Sequence, residues 1–167
     1  MSDLKSLLVE QLQDLYDAEQ QITRALPKMA SAANDEELKT AFQEHLEQTR
    51  GHVDRLERAF GMLDESAVTK SCAGIRGILK EGEEALEKDL NGSVKDALLI
   101  AGAQRVEHYE IAGYGTVAAW ADELGLDDVA DLLGETLDEE EEADDRLSKI
   151  AEGGLLASGV NEEAKTH

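Results

Sequence analysis

The feature that most constrains this chain is an apolar helical stripe over residues 99–124 that two carboxylates interrupt. Apolar or small residues recur there every three or four positions, which is the spacing of one face of an α-helix. Glu110 falls on that face, and Glu107 lies at its edge one turn away. Because an ionised carboxylate is costly to bury without a partner, either both side chains reach water or a positive group lies inside. A metal ion is the simpler explanation if other segments supply matching carboxylates.

Length and composition favour one all-helical domain. The chain has 167 residues, enough for a core without disulfides, and its single Cys72 has no partner cysteine in the chain. Ala, Leu, Glu and Asp dominate, there is one Pro, and no Val- or Ile-rich run alternates as a β-strand does. No stretch approaches the ~18 apolar residues of a membrane span, and the first ten residues do not resemble a signal peptide. We therefore expect a cytoplasmic, all-α protein without membrane contacts.

The charge balance argues against nucleic-acid binding. Asp and Glu number 38 against 16 Lys and Arg, which gives a net charge of −22. Nucleic-acid binding needs a basic face, and this excess of acid disfavours one. Most of the acidic residues are explained by a solvated surface. Affinity for cations and adaptation to a salty cytoplasm are two further explanations, and the sequence leaves both open.

Two helical patterns precede the interrupted stripe, and both carry polar residues on their apolar faces. The first begins close to the N-terminus, repeats Leu at helical spacing, and has Glu19 where an apolar residue is expected. Pro27 should kink or end this helix, because it lacks an N–H and crowds the preceding turn. The second follows Asn34, a candidate N-cap. It places His45 and His52 seven residues apart, and therefore two turns apart on its inward face.

The remaining patterns complete a bundle. The third main helix should span about 94–124, and a fourth begins near Asp127 with Glu140 and Asp144 on its apolar stripe. Residues 65–92 contain a further amphipathic pattern, which predicts a helix over about 71–89. This connection is too long for a tight turn, so it would let the second and third main helices run the same way. We expect an all-α, ferritin-like four-helix bundle with an additional helix in the long crossover between the second and third main helices.

All four main patterns are thus interrupted near mid-length by metal-ligand residue types, at levels that an antiparallel bundle can bring together. Carboxylates and imidazoles contributed in this way build dinuclear iron or manganese sites in four-helix bundles. Taken one at a time, these residues have simpler explanations. A Glu can lie at the helix edge with its carboxylate in water, and a His can be a hydrogen-bonded residue of the core. Tyr16, Tyr109 and Tyr114 are candidates to orient the ligands. The predicted metal ligands are Glu19, His45, His52, Glu107, Glu110, Glu140 and Asp144.

Four segments of the sequence resemble the YciE/YciF-like family of the ferritin-like (rubrerythrin-like) superfamily. They are residues 15–21, 45–49, 106–116 and 135–140, and the resemblance extends over about 4–151. The run EHYEIAGYGT at 107–116 is the most specific of them. The resemblance implies a rubrerythrin-like bundle, a homodimer, an association with stress responses and a di-metal site of two iron or manganese ions.

The resemblance also implies roles for individual residues. Glu19 resembles the first-helix ligand, and Glu107 with Glu110 resembles the ExxE pair of the third helix. Glu140 with Asp144 stands where the fourth helix of the superfamily usually offers ExxH. The second helix departs from the pattern, because Gln48, a weaker neutral ligand, stands where the family often has Glu. His52 is the candidate to compensate.

These observations lead to one functional hypothesis and two rivals. The leading hypothesis is a ferritin-like di-metal protein acting in stress response, by Fe(II) oxidation or by peroxide removal with peroxide or O₂ as the small oxidant. The first rival is a non-catalytic stress or interaction protein with a degenerate or empty site. The second, iron storage in a hollow shell, has no sequence feature that specifies a cage. We assign residues 1–153 to the bundle and 154–167 to a flexible or partner-dependent C-terminal tail.

Overall fold

Long helices make up most of the computed structural model, which describes residues 3–154 and 157–166. In chain order they are α1 (Leu4–Ala32), α2 (Glu36–Met62), α3 (Ala73–Glu87), α4 (Gly92–Glu123) and α5 (Asp127–Glu152), and a short α6 (Val160–Glu163) follows. Within the described residues there is no β-strand, only an isolated bridge between Gly153 and Ser158. The expectation of an all-α bundle with an extra helix in the crossover is confirmed.

The four main helices form a square in which neighbours are antiparallel. Helices α1 and α5 occupy opposite corners, and each packs against both α2 and α4. The hydrogen bonds and ion pairs between α1 and each of its neighbours run in opposite sequence directions. Because α2 and α4 are both antiparallel to α1, they run the same way. The crossover through α3 is what makes this arrangement possible.

The bundle has two apolar clusters, one toward each end. One cluster, around Leu26, Phe42, Ile75, Leu99 and Ile150, includes the inner side of α3. The other, around Leu8, Leu56, Phe60, Val117 and Leu133, fills the opposite end. Fully buried side chains of this size supply about 1.5–3 kcal/mol each. They fix the heights of the four helices, and so set the level at which the polar residues between the clusters meet.

Helix ends differ in detail from the sequence expectations. Helix α1 continues through Pro27 to Ala32. The N-cap of α2 is Asp35 rather than Asn34, and its carboxylate accepts the Leu38 N–H at 2.8 Å. Asp96 of α4 is buried and reaches the same loop, where it accepts the N–H groups of residues 34 and 35 at 2.8 and 2.9 Å. A local sequence pattern could not reveal this cap, because its partners are about 60 residues apart.

The start of α3 is fastened to both α1 and α4. The Cys72 N–H donates to Asp17 Oδ2 of α1 at 2.8 Å, and Cys72 Sγ lies 3.1 Å from Tyr109 Oη of α4. Gly74 lies against the Tyr109 ring so closely that a Cβ there would come within 2.5 Å of it. A side chain at this position would force the Tyr109 ring or α3 to shift, which is consistent with a glycine here.

Part of the predicted tail lies on the bundle. Helix α6 packs on α4 and α5, and Val160 is buried in the first apolar cluster. Residues 155, 156 and 167 of that segment lie outside the described residues, and the division after residue 153 stays a prediction. None of the described helices is both long enough and apolar enough to cross a membrane.

Candidate metal centre

Six of the seven predicted ligands converge between the two apolar clusters. All six are buried, and four of them, Glu19, His52, Glu110 and Glu140, have 0 % exposure. Each main helix contributes at least one of them. The residues that interrupt the apolar stripes therefore meet at one level, because the helices on which they lie are packed side by side. The six are Glu19, His45, His52, Glu107, Glu110 and Glu140.

Five of these residues form two three-residue groups that could each hold a metal ion. The His52 half consists of Glu19 and His52 with Glu140, and the His45 half consists of His45 and Glu107 with the same Glu140. Within each group one nitrogen or oxygen atom per residue lies within 4.8 Å of the others. Each half thus pairs one imidazole with two carboxylates, a mixed nitrogen and oxygen donor set suited to iron or manganese.

Glu140 belongs to both halves because its two oxygens face different histidines. Its Oε1 lies 2.9 Å from His52 Nδ1, and its Oε2 lies 3.5 Å from His45 Nε2. The remaining carboxylates approach their own histidines, Glu19 Oε1 at 3.3 Å from His52 Nδ1 and Glu107 Oε2 at 3.4 Å from His45 Nε2. A carboxylate placed in this way can bridge two cations.

Glu110 lies beside both halves without belonging to either group. Both of its oxygens are buried and have no hydrogen-bond partner among the described residues. Burial raises its pKa well above the ordinary value, and the charges of Glu19, Glu140 and Glu107 raise it further. The protonated form of Glu110 is therefore favoured, and a cation bound in the cluster would favour the ionised form instead.

The cluster as a whole lacks partners for its polar atoms. Eight buried side-chain atoms of the six residues have no hydrogen-bond partner outside the cluster among the described residues, and several of them face one another instead. An unsatisfied buried polar atom costs about 1–3 kcal/mol, and more if it is charged. Protons or metal ions must offset this cost.

Proton uptake has a clear physical cause at each of these groups. Burial raises the pKa of Glu140 to about 7, although the His52 imidazole, 2.9 Å from Glu140 Oε1, opposes the rise. Burial likewise raises the pKa of Glu19. At both histidines burial disfavours the imidazolium, but the facing carboxylates outweigh it and raise each pKa to about 10. Without metal, the cluster retains protons to balance its charge.

The ring of His52 is oriented from outside the cluster by an ion pair. Its Nε2 lies 2.7 Å from Glu139 Oε2, and Arg55 binds both oxygens of Glu139 at 2.8 and 2.7 Å. The hydrogen bond from Arg55 lowers the pKa of Glu139, so this carboxylate is ionised and accepts the proton of Nε2. Nδ1 is thereby turned toward Glu19 and Glu140, and its lone pair would become available to a metal ion once its proton is lost.

Gln48 orients His45 instead of serving as a ligand in either group. Gln48 Oε1 lies 3.2 Å from His45 Nδ1, and an amide oxygen can only accept. His45 therefore donates from Nδ1 and turns Nε2 toward Glu107 and Glu140. Helix α2 thus places two imidazole nitrogens in the cluster, through His45 and His52, and Gln48 orients the ring of the first.

The seventh predicted residue, Asp144, is not brought into the cluster. Its carboxylate lies 3.2 Å from His108 Nε2 and accepts a hydrogen bond from Gln104 Nε2 at 3.2 Å. Asp144 follows Glu140 by four positions on α5, so it lies about one turn further along the helix and is rotated by about 40° around the axis. The shorter Asp side chain thus faces α4 at the bundle edge, and Glu140 is the residue of α5 that enters.

One of the three candidate tyrosines reaches the cluster. Tyr114 is buried and donates to Glu19 Oε1 at 2.5 Å. Tyr16 instead donates to Glu57, and Tyr109 donates to Asp14 beside Cys72. Tyr114 is therefore the tyrosine that can orient a ligand here.

The ion pair of Arg55 with Glu139 is the part of the site that the sequence analysis missed. Glu139 lies in an acidic run that is typical of a solvated surface. Arg55 lies three positions after His52, so the two side chains share a helix face. That spacing, together with the position of Glu139 beside Glu140, is the signal that could have identified the pair.

The residues present fit a pair of divalent metal ions. The donor set is mixed, the shared carboxylate faces both halves, and the eight unpartnered atoms require cations or protons. Both histidines have their outer nitrogens held by partners outside the cluster, an arrangement typical of metal-binding histidines.

Comparisons with known proteins agree with this architecture. YciF of Escherichia coli K12 is 39 % identical over 166 residues, covering 99 % of this chain and 97 % of YciF. The crystal structure of YciF, described as an E. coli stress protein, superposes with a TM-score of 0.87 at 41 % identity, over 89 % of this chain and 94 % of that one. YcfI of Rhodopseudomonas palustris, described as "a putative structural protein", matches with a TM-score of 0.86 at 43 % identity, over 90 % and 96 %.

Two further comparisons also gave matches. A protein of Xanthomonas campestris pv. campestris shares the fold, with a TM-score of 0.69 at 24 % identity over 88 % of this chain and 90 % of that one. The family model described as "Domain of unknown function (DUF892)" matches residues 3–165, nearly the whole chain. It follows from this match that the chain belongs to the DUF892 family, and over its full length it is similar to YciF.

Proposed function

We propose that this protein holds two iron or manganese ions in the bundle and acts in stress response, by oxidising Fe(II) or removing peroxide. The observation that carries the proposal is the placement of Glu140, whose two oxygens face the two histidines. The description of YciF as a stress protein supports the cellular role.

Each residue has a defined part in this proposal. Glu19 and His52 would hold one ion, His45 and Glu107 the other, and Glu140 would be shared between them. Glu110 supplies further carboxylate oxygens beside both halves. Bound iron would supply one-electron redox chemistry toward peroxide or O₂.

The size of the cavity beside the cluster supports a small molecule as the oxidant. A cavity of about 30 Å³ adjoins His45, Gln48 and Glu107, and Arg146 also lines it. A water molecule needs about 10–15 Å³ of such volume. The cavity therefore suits molecules no larger than one or two waters, such as peroxide or O₂, and excludes organic substrates.

The proposal is tested by counting metals per chain in untagged protein after anaerobic Fe(II) loading. We expect two ions in the wild type. Glu140→Ala should reduce this count to near zero, because it removes the shared ligand. Asp144→Ala is the matched control on the same helix and should keep two. Circular dichroism checks that helicity is retained. A Glu140→Ala variant that still holds two ions would contradict the proposal.

A second candidate is a non-catalytic protein of stress or interaction, which the description of YcfI favours. In that case protons and water, rather than metal, would balance the cluster. A ligand that binds the native state alone must raise its stability. Thermal unfolding that neither a chelator nor added Fe(II) shifts would support this candidate over the first.

The proposal includes assembly as a homodimer, the state that the family resemblance implies. Sedimentation should give a mass of about two chains. A much larger mass would instead favour a storage cage.

A further inference from the structure

A groove of about 520 Å³ runs between α1 and α3, and it contains none of the six clustered residues. Its α1 side carries Arg24 and Lys28, and its α3 side carries Arg76 and Lys80. The two residues of each pair are four positions apart in sequence. They therefore lie on the same face of their helix, separated by about 6 Å along its axis. The groove thus presents two cations from each of two helices.

This local charge is opposite to that of the chain as a whole. Acidic residues outnumber basic ones 38 to 16, yet Glu83 is the one acidic residue among the described residues that line the groove. Its Oε1 lies 3.1 Å from Lys28 Nζ. Arg24 and Lys80 have no ion-pair partner within the described part of the chain. In a protein with so many acidic residues, a cluster that contains basic side chains without acidic partners indicates a site that attracts an anion.

The same groove has an apolar lining. Met29 of α1 and Leu79 and Leu86 of α3 line it, and all three are half-buried. The α3 residues that line it extend from 76 to 86, about 15 Å along the axis. Its volume falls within the 300–1,000 Å³ typical of sites for small organic molecules. An inorganic anion would leave this lining uncovered, and the net charge of −22 repels long polyanions.

We propose that this groove binds a single-chain anionic amphiphile, with its hydrocarbon chain along Met29, Leu79 and Leu86 and its carboxylate or phosphate head beside the four cations. Binding here is independent of the metal cluster. The ligand class follows from the combination of an elongated apolar lining with unpaired cations.

The methionine methyl groups provide a direct test. Met29 lines the groove, whereas Met62 is exposed at the opposite end of the bundle and serves as an internal control. The full chain is labelled with ¹³C-methyl methionine and titrated with decanoate and, separately, with decyl phosphate. We expect at least one of them to shift the Met29 signal saturably while Met62 stays unchanged. Whichever binds more tightly identifies the head group.

Two control ligands separate the contributions of chain and charge. Decanol has the same chain without the charge and should bind at least tenfold more weakly. Inorganic phosphate has charge without the chain and should not shift Met29 at the same concentration. Equal shifts of Met29 and Met62, or binding of phosphate as tight as that of the amphiphiles, would overturn the proposal.

Paired glycine variants test the location. A Cβ built at Gly82 or at Gly77 has no heavy atom within 4 Å, and both residues lie in α3. Replacing either should therefore favour the helix. Gly82 lines the groove and Gly77 does not. Gly82→Leu should abolish the Met29 shift and Gly77→Leu should preserve it; the same response from both would overturn the proposal.

Charge variants test the recognition of the head group. Arg24→Gln combined with Lys80→Gln should weaken amphiphile binding at least tenfold. Arg58→Gln combined with Arg105→Gln removes the same charge from exposed positions elsewhere and should leave binding unchanged. Unchanged binding by the groove variant would overturn the proposal.

Discussion

The two halves of the cluster use the same kinds of ligand but are enclosed differently. The His52 half is fully buried, with Glu139 accepting a hydrogen bond from His52 and Tyr114 donating one to Glu19. In the His45 half, the outer nitrogen of the imidazole meets the neutral amide of Gln48, and the small cavity adjoins this half. The His52 half is closed, and a charged carboxylate holds its imidazole. The His45 half has room beside it for a small molecule.

This difference predicts different metal affinities. A carboxylate that accepts the outer proton of a histidine raises the basicity of the ligand nitrogen more than an amide does. Glu139 is itself held by Arg55, so its position is fixed before metal arrives. We therefore expect the first ion to bind tightly in the His52 half and the second to bind more weakly in the His45 half, where it exchanges with solution.

The largest effect should come from removing each histidine in turn. His52→Ala should weaken binding of the first ion at least about 100-fold, because losing a ligand exceeds the 10–100-fold cost of losing its outer partner. His45→Ala should leave the first ion and remove the second. Titration with Co(II), followed by absorbance and calorimetry, resolves the two steps. Equal losses from the two variants would show that the halves are equivalent.

Proton uptake by the metal-free cluster should make its stability depend on pH. The pKa of each histidine is raised from 6.5 to about 10, and that of Glu140 from 4.5 to about 7. A group whose pKa is higher in the folded state than in the unfolded state stabilises the fold at pH values below its unfolded-state pKa. This stabilisation is lost as the pH rises through its folded-state pKa. Chelated protein should therefore lose at least about 5 °C in Tm between pH 6.5 and 10, the shift that ~2 kcal/mol produces in a domain this size.

Calorimetry with and without Mn(II) isolates this contribution. A bound metal displaces the protons, so the metal-loaded protein should show a smaller decrease over the same pH range. A chelated protein whose Tm stays constant or rises between pH 6.5 and 10 would contradict the assignment of protons to the cluster.

The outer partners of the two histidines should differ in importance. Glu139→Gln keeps the shape of the side chain but removes its charge, and should weaken the first ion about tenfold without affecting the second. Gln48→Ala should weaken the second ion by a smaller factor, roughly threefold, because a neutral hydrogen bond is worth less than a charged one. The Co(II) titration measures both. If Glu139→Gln weakened the second ion as strongly as the first, the two halves would not be independent.

Sequence periodicity predicted the inward ligands well because burial repeats with the helix. Glu110 and Glu140 occupy positions on apolar stripes, and a stripe must face the core. Residues at the edge of a helix were harder to place. Asp144 and Glu139 flank Glu140 on the same helix, yet Glu139 reaches His52 and Asp144 pairs with His108 instead. Which edge residue faces which neighbour depends on the packing of α5 against α2 and α4, which one helix pattern does not contain.

The smallest effect should come from narrowing access to the His45 half. Ala143 of α5 is half-buried and lines the small cavity. Ala143→Val adds two methyl groups to a space of about 30 Å³ and should slow loading of the second Co(II) a few-fold in stopped-flow absorbance. The first ion should load at the wild-type rate, because the cavity does not adjoin its half.

Ala130→Val is the matched control, the same change at a half-buried alanine of the same helix, and it should leave both rates unchanged. Slower loading of the first ion in the Ala143 variant would mean that both ions enter through this cavity, and the distinction between a closed and an accessible half would fail.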